Sequence, residues 1–139
     1  MAHCEFCRIA QGTAPAAVAF ASARVVAFAD RRPIRPGHVQ VIPRCHVESF
    51  DDLDEDLAAE IILLGQRIAR AQKRIYGVRR VGFVFTGNDV PHAHAHLIPL
   101  HAADDVTSAR YSDPGVPWAG AEDRRETARQ LRAALNGLS

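Results

Sequence analysis

Three histidines alternate along one short apolar run, His92-Ala93-His94-Ala95-His96-Leu97-Ile98. Side chains on a β-strand repeat every two residues, so an extended chain turns all three imidazoles to one side. A helix would fan them over about 200°. The run closes at Pro99 and follows Gly87 and Asn88, so it has the punctuation of a strand. The chain around it therefore needs a sheet. Imidazole is costly to bury without partners, which makes three in a row poor packing material. They suit metal binding, or nucleophilic and acid–base chemistry.

The flanking segments supply the rest of that sheet and two helices. Ala17 to Ala21 and Arg24 to Ala29 read as strands broken at Ser22, although their alternation is imperfect. Arg31 to Gly37 holds Pro33, Pro36 and Gly37 and reads as a loop, followed by a strand from Val39 to Ile42. Leu53 to Tyr76 is the long helix. Leu53, Leu57, Ile61, Leu64, Ile68, Ala71 and Ile75 recur at spacings of three and four, carboxylates cluster at its start, and Gly77 follows as the stop. Val81 to Thr86 and Ala93 to Pro99 are two further strands joined by a short turn. Glu122 to Leu135 forms a C-terminal helix, and Cys7 to Gln11 a short N-terminal one. Strands close in sequence with short turns favour antiparallel pairing, hence an α+β chain with a sheet of about five strands.

Length fits one domain over 1–139. The net charge of +1, with 17 basic against 16 acidic residues, gives no electrostatic case for nucleic acid as a partner. No apolar run approaches the roughly 18 residues of a membrane span, and no leader pattern opens the chain, so the expected setting is cytoplasmic. Three cysteines are an unlikely disulfide framework. A redox Cys-x-x-Cys pair follows a strand at a helix start, and no strand precedes Cys4-x-x-Cys7. The pair therefore reads as half of a structural zinc site.

The triplet in its setting resembles the histidine triad (HIT) family, whose signature alternates three histidines with apolar residues. Pro36-Gly37-His38-Val39-Gln40-Val41-Ile42-Pro43-Arg44-Cys45-His46-Val47 is similar to a second family segment, and Val26-Ala27-Phe28-Ala29-Asp30 to a third. The resemblance implies a HIT-like α+β fold, usually paired as a homodimer, and a nucleotide substrate. It implies cleavage of a nucleoside 5′-phosphate derivative at the α-phosphate. Candidate substrates are a phosphoramidate, an acyl adenylate or a dinucleoside polyphosphate.

Carried residue by residue, the resemblance makes His94 the nucleophile that takes up the nucleotidyl group, with one ring nitrogen held by a backbone carbonyl. His96 stands near the phosphate or leaving group. Asp30 accepts from both ribose hydroxyls, and Phe20 and Phe28, with Ala19, flank the base. In the zinc-bearing branch of the family, His46 and His92 complete the set begun by Cys4 and Cys7. His38 reads as a structural histidine, and Cys45 points away from the metal.

The chain also departs from the family. The loop before the triplet is short, Thr86-Gly87-Asn88-Asp89-Val90. Asn88 stands in for a glutamine, and Asp89 falls where the family places a hydroxyl donor to the α-phosphate. Leu100 replaces an arginine. A carboxylate accepts where a hydroxyl would donate. The alternative expectation is therefore a weakly active nucleotide-binding or scaffold protein of the same family.

Overall fold

The computed structural model describes residues 3–106 and 117–137. The elements run α1 (Glu5–Gln11), β1 (Val18–Ala21), β2 (Val25–Ala29), β3 (Val39–Pro43), a 3-10 turn (Phe50–Asp52), α2 (Glu55–Tyr76), β4 (Arg80–Phe85), β5 (Ala95–Leu100) and α3 (Ala121–Asn136). The five strands make one antiparallel sheet in the order β1-β2-β3-β5-β4. None of the described helices is long and apolar enough to cross a membrane.

The period-two rule divides the sheet into two unlike faces. Val25, Ala27, Val39, Val41, Ala95 and Leu97 meet Leu57, Ile61, Leu64, Ile68 and Ala71 of α2 and Leu131 and Leu135 of α3 in the larger core. These helix positions are the apolar stripe expected from spacings of three and four. Burial of a side chain such as Ile61 or Ile68, both fully covered, contributes about 1.5–3 kcal/mol. The opposite face carries Val26, Phe28 and Ile42 under Phe6 and Ile9 of α1. Gln40 and His96 are register partners on that same face.

Two sequence expectations need correction. The histidine run is not wholly strand: β5 begins at Ala95, so only His96 of the triplet joins the ladder. Before it the backbone is drawn toward the segment after β3, where the Ala93 N–H donates to the Val47 carbonyl (2.6 Å). The long helix starts at Glu55 rather than Leu53, because Asp54 caps it by accepting from the Leu57 N–H (2.7 Å).

The 31–37 loop places His38 and is clamped from two sides. Fully buried Asp105 accepts from Arg35 Nε (3.0 Å) and Nη2 (2.8 Å) and from the His101 and Ala102 N–H groups. The Arg35 guanidinium holds the Asp105 carboxyl well below the usual carboxylate range. From α2, buried Gln72 donates to the Gly37 and Leu97 carbonyls (2.9 and 3.0 Å).

Gly37 itself has φ of +90°, and a β-carbon there would run into the ring of Tyr76. Gly12 has φ of +79° but open space around it. Gly37→Ala should therefore cost about 3 kcal/mol in strain and overpacking, and Gly12→Ala about 1 kcal/mol. Urea unfolding of both variants checks this; equal losses would contradict the packing argument.

Candidate active site and metal centre

The N-terminus of α1 and the run before β5 converge on one cluster. Cys4 is the extended N-cap residue of α1 and accepts from the Cys7 N–H, which sets the two thiols one turn apart. His92 Nδ1 lies 3.4 Å from Cys4 Sγ and 3.5 Å from Cys7 Sγ, and His46 Nδ1 lies 3.2 Å from Cys7 Sγ. The four donor atoms all fall within 4.8 Å of one another. A tetrahedral zinc site with bonds of about 2.3 Å to sulfur and about 2.0–2.1 Å to nitrogen needs sulfur–nitrogen edges of about 3.5 Å. The donor set and spacing fit that ion. His92 Nε2 donates to the Pro43 carbonyl (2.9 Å), which leaves the lone pair on Nδ1, facing the sulfurs. Cys45 is exposed and stands outside the cluster, as expected.

His92 has a second role through its backbone. Its carbonyl oxygen lies 2.7 Å from His94 Nδ1. A carbonyl only accepts, so Nδ1 carries the proton and the neutral ring keeps its lone pair on Nε2. That Nε2 atom is buried and has no hydrogen-bond partner. Asp89 Oδ1 stands 3.4 Å from it.

A second chain of donors fixes the tautomer of His96. The Ile34 N–H donates to His38 Nδ1 (3.1 Å), so the proton of neutral His38 is on Nε2. His38 Nε2 lies 2.9 Å from His96 Nδ1 and 3.3 Å from Asp30 Oδ2. His96 Nδ1 therefore accepts, and its own proton sits on Nε2. Asp30, His38 and His96 also come close enough to hold a metal. The Ile34 N–H argues against it: with Nδ1 already accepting, a metal on His38 Nε2 would demand an imidazolate. Sequence reasoning assigned His38 a structural role and missed this link, which depends on a backbone N–H four residues upstream.

Burial pushes the His38 imidazole down against the opposing pull of Asp30. Burial, reinforced by His38, pushes His96 down to about 3. Burial alone would raise the Asp30 carboxyl. It is outweighed by the His38 imidazole, by the Arg32 N–H (2.7 Å) and by Gln40 Nε2 (2.8 Å), which hold it ionised.

Asp30, Phe28, Asp89 and His96 share a pocket of about 310 Å³ with Phe6, Ile9 and Gln40. Phe28 packs edge-on to Phe6 (5.6 Å between centroids), and Phe6 stands edge-on to His94 (5.2 Å). Phe6, Ile9 and Gln40 were missed from the sequence. Gln40 was legible in principle, being two residues from Ile42 on β3 and two from His38 just before it. Phe20 does not join the pocket. A bulge between Val18 and Phe20 shifts the register so that Phe20 pairs with Ala27 on the helix-covered face, where Arg67 lies over its ring. Ala19 is buried in the helix-side core. Asn88 opens instead toward a smaller neighbouring pocket that His94 also lines.

Comparison with known proteins follows the same lines. A HIT domain model matches residues 11–103. An uncharacterised HIT-like protein of Saccharolobus solfataricus is 34% identical over 106 residues, 73% of this chain and 76% of the relative. The adenosine 5′-monophosphoramidase of Schizosaccharomyces pombe is 31% identical over 97 residues, 69% of this chain and 73% of the relative. The crystal structure of a zinc-bound histidine triad family protein from Mycobacterium smegmatis superposes with a TM-score of 0.79 at 29% identity, covering 99% of this chain and 96% of that one.

A histidine held neutral by the fold binds fewer protons folded than unfolded, so stability rises with pH and is lost in acid. For His96 the loss begins near its ordinary value of 6.5 and continues down to about 3. Between pH 7 and pH 5 that single group should cost about 2 kcal/mol. Denaturant unfolding of the protein and of His96→Asn at both pH values measures it. A variant as acid-sensitive as the parent would contradict the assignment.

Proposed function

This chain belongs to the HIT-domain family, and from that premise we propose that it cleaves a nucleoside 5′-phosphate derivative at the α-phosphate through a nucleotidyl-histidine on His94. The observation that carries the reading is the His92 carbonyl on His94 Nδ1, which leaves a buried, unpartnered Nε2 lone pair on the active face. A neutral imidazole so held is a competent nucleophile near pH 7. The Asp30 carboxylate suits the two ribose hydroxyls, and Phe28 with Phe6 and Ile9 suits the base. Neutral His96, with its proton on Nε2, donates to a phosphate oxygen. Asn88 adds an amide beside the reacting centre. The monophosphoramidase relative supports a phosphoramidate as the substrate, ahead of an acyl adenylate or a dinucleoside polyphosphate.

His94→Ala is expected to abolish turnover of adenosine 5′-phosphoramidate by several powers of ten while nucleoside monophosphate binding survives. Steady-state kinetics with calorimetric titration checks both. Residual activity above about a tenth would rule out the covalent route.

In this reading Cys4, Cys7, His46 and His92 hold one structural zinc per chain. The zinc-bound mycobacterial relative and the donor geometry support it. The ion would tie α1 to the residue before the nucleophile and take no part in the chemistry. Free cysteines and the absence of a membrane-spanning helix among the described residues fit a reducing, cytoplasmic setting. β4 is an edge strand. Phe83 on it and Ile62 and Leu63 on α2 are exposed, the kind of apolar edge that a second copy covers. Native mass spectrometry is expected to show a dimer carrying two zinc ions; a metal-free monomer would contradict both assignments.

Asp89 favours a second reading, a nucleotide-binding protein with little turnover. Its carboxylate faces the nucleophile rather than folding back on the turn. Like charges about 4 Å apart cost on the order of 1–4 kcal/mol depending on how wet the site is. Asp89→Ser should tighten nucleoside monophosphate binding tenfold or more and raise turnover. Titration calorimetry of the two proteins decides; affinities equal within a factor of two would clear Asp89 of any such effect.

A further inference from the structure

The nucleophile borders a second pocket, of about 150 Å³, whose character differs from that of the nucleoside pocket. The 86–90 turn serves both: Asp89 and Val90 face the nucleoside side, while Thr86, Gly87 and Asn88 line the small pocket. His94 is 1% exposed, lines the small pocket, and has its Nε2 without a hydrogen-bond partner. Whatever leaves the phosphorus opposite the nucleoside has this pocket beside it.

The lining has two parts. Phe50 and Phe85 form an aromatic wall, with ring centroids 5.7 Å apart. Glu48 and Asp51 stand at the mouth, both exposed, and no lysine or arginine among the described residues lines the pocket. Asp89 adds a third carboxylate beside the reacting nitrogen. A departing phosphate or nucleotide would meet the like charge of these three carboxylates here. An alkylamine could lay its methylenes along the rings and bring a terminal cation to the carboxylates.

The geometry points to a leaving-group subsite selective for alkylamines that bear a second positive charge. The inference rests on the reading of His94 as nucleophile. In the step it serves, the Nε2 lone pair forms a bond to the α-phosphorus as the phosphorus–nitrogen bond of the phosphoramidate breaks. The amine nitrogen keeps that electron pair, takes one proton from water and leaves. A water molecule then bonds to phosphorus, the bond to His94 returns its pair to Nε2, and one proton is released, giving the nucleoside monophosphate.

Three adenosine 5′-phosphoramidates of matched length test this, made from 1,5-diaminopentane, pentylamine and 5-aminopentanoate. kcat/KM should fall in that order, with the diamine about thirtyfold above the acid at low salt. The double variant Glu48→Gln/Asp51→Asn should bring that ratio to about threefold or less. Raising salt to about 0.5 M should compress it in the parent protein, since mouth charges are screened. Rates within twofold of one another in the parent, or a ratio that the double variant leaves unchanged, would overturn the subsite while leaving the hydrolase reading intact. Failure to cleave any of the three would remove the hydrolase reading itself, and the subsite with it.

Discussion

The hydrogen bond from His94 Nδ1 to the His92 carbonyl is the contact on which the rest of the site depends. It decides which nitrogen of the central histidine has a lone pair, and so whether that ring can attack. The same residue, His92, is held by its side chain among two thiols and a second imidazole, and by its Nε2 on the Pro43 carbonyl. A backbone carbonyl can orient a neighbour only as well as its own residue is fixed. The Cys4, Cys7, His46 and His92 cluster is therefore more than a staple for the N-terminal helix. It sets the position of the atom that sets the tautomer.

A parallel logic runs through the third histidine. The Ile34 N–H fixes His38, and His38 fixes His96, so the His94 and His96 rings carry their protons on opposite nitrogens. One exposes a lone pair and the other a donor. The loop that supplies the Ile34 N–H is held by buried Asp105 on Arg35 and by Gln72 on the Gly37 carbonyl, well away from any substrate. Packing and chemistry meet at that loop: the positive φ of Gly37 lets the chain turn under Tyr76 and deliver His38 to the sheet.

Much of this was legible in the residues. The alternating triplet demanded a sheet, the Leu57 to Ala71 spacing demanded α2, and the Cys4-x-x-Cys7 pair marked a cluster that the fold completes with His46 and His92. What was not legible came from irregularity. The bulge after Val18 moved Phe20 to the wrong face for base binding, because one inserted residue reverses the alternation. The Val47 contact drew Ala93 out of the ladder, so the triplet spans a strand entrance rather than a strand. His38 looked structural because its partner, the Ile34 N–H, has no side-chain signature. Glu48, Phe50 and Asp51 carried no motif at all; only the fold brings them beside His94.

Long-range proton–nitrogen NMR of the zinc-loaded, nitrogen-15-labelled protein at neutral pH reads the pair of opposed tautomers directly. The expected result is a proton on Nδ1 of His94 and on Nε2 of both His38 and His96. A proton on Nε2 of neutral His94 would remove the lone pair that the proposed attack needs and contradict that proposal at its base.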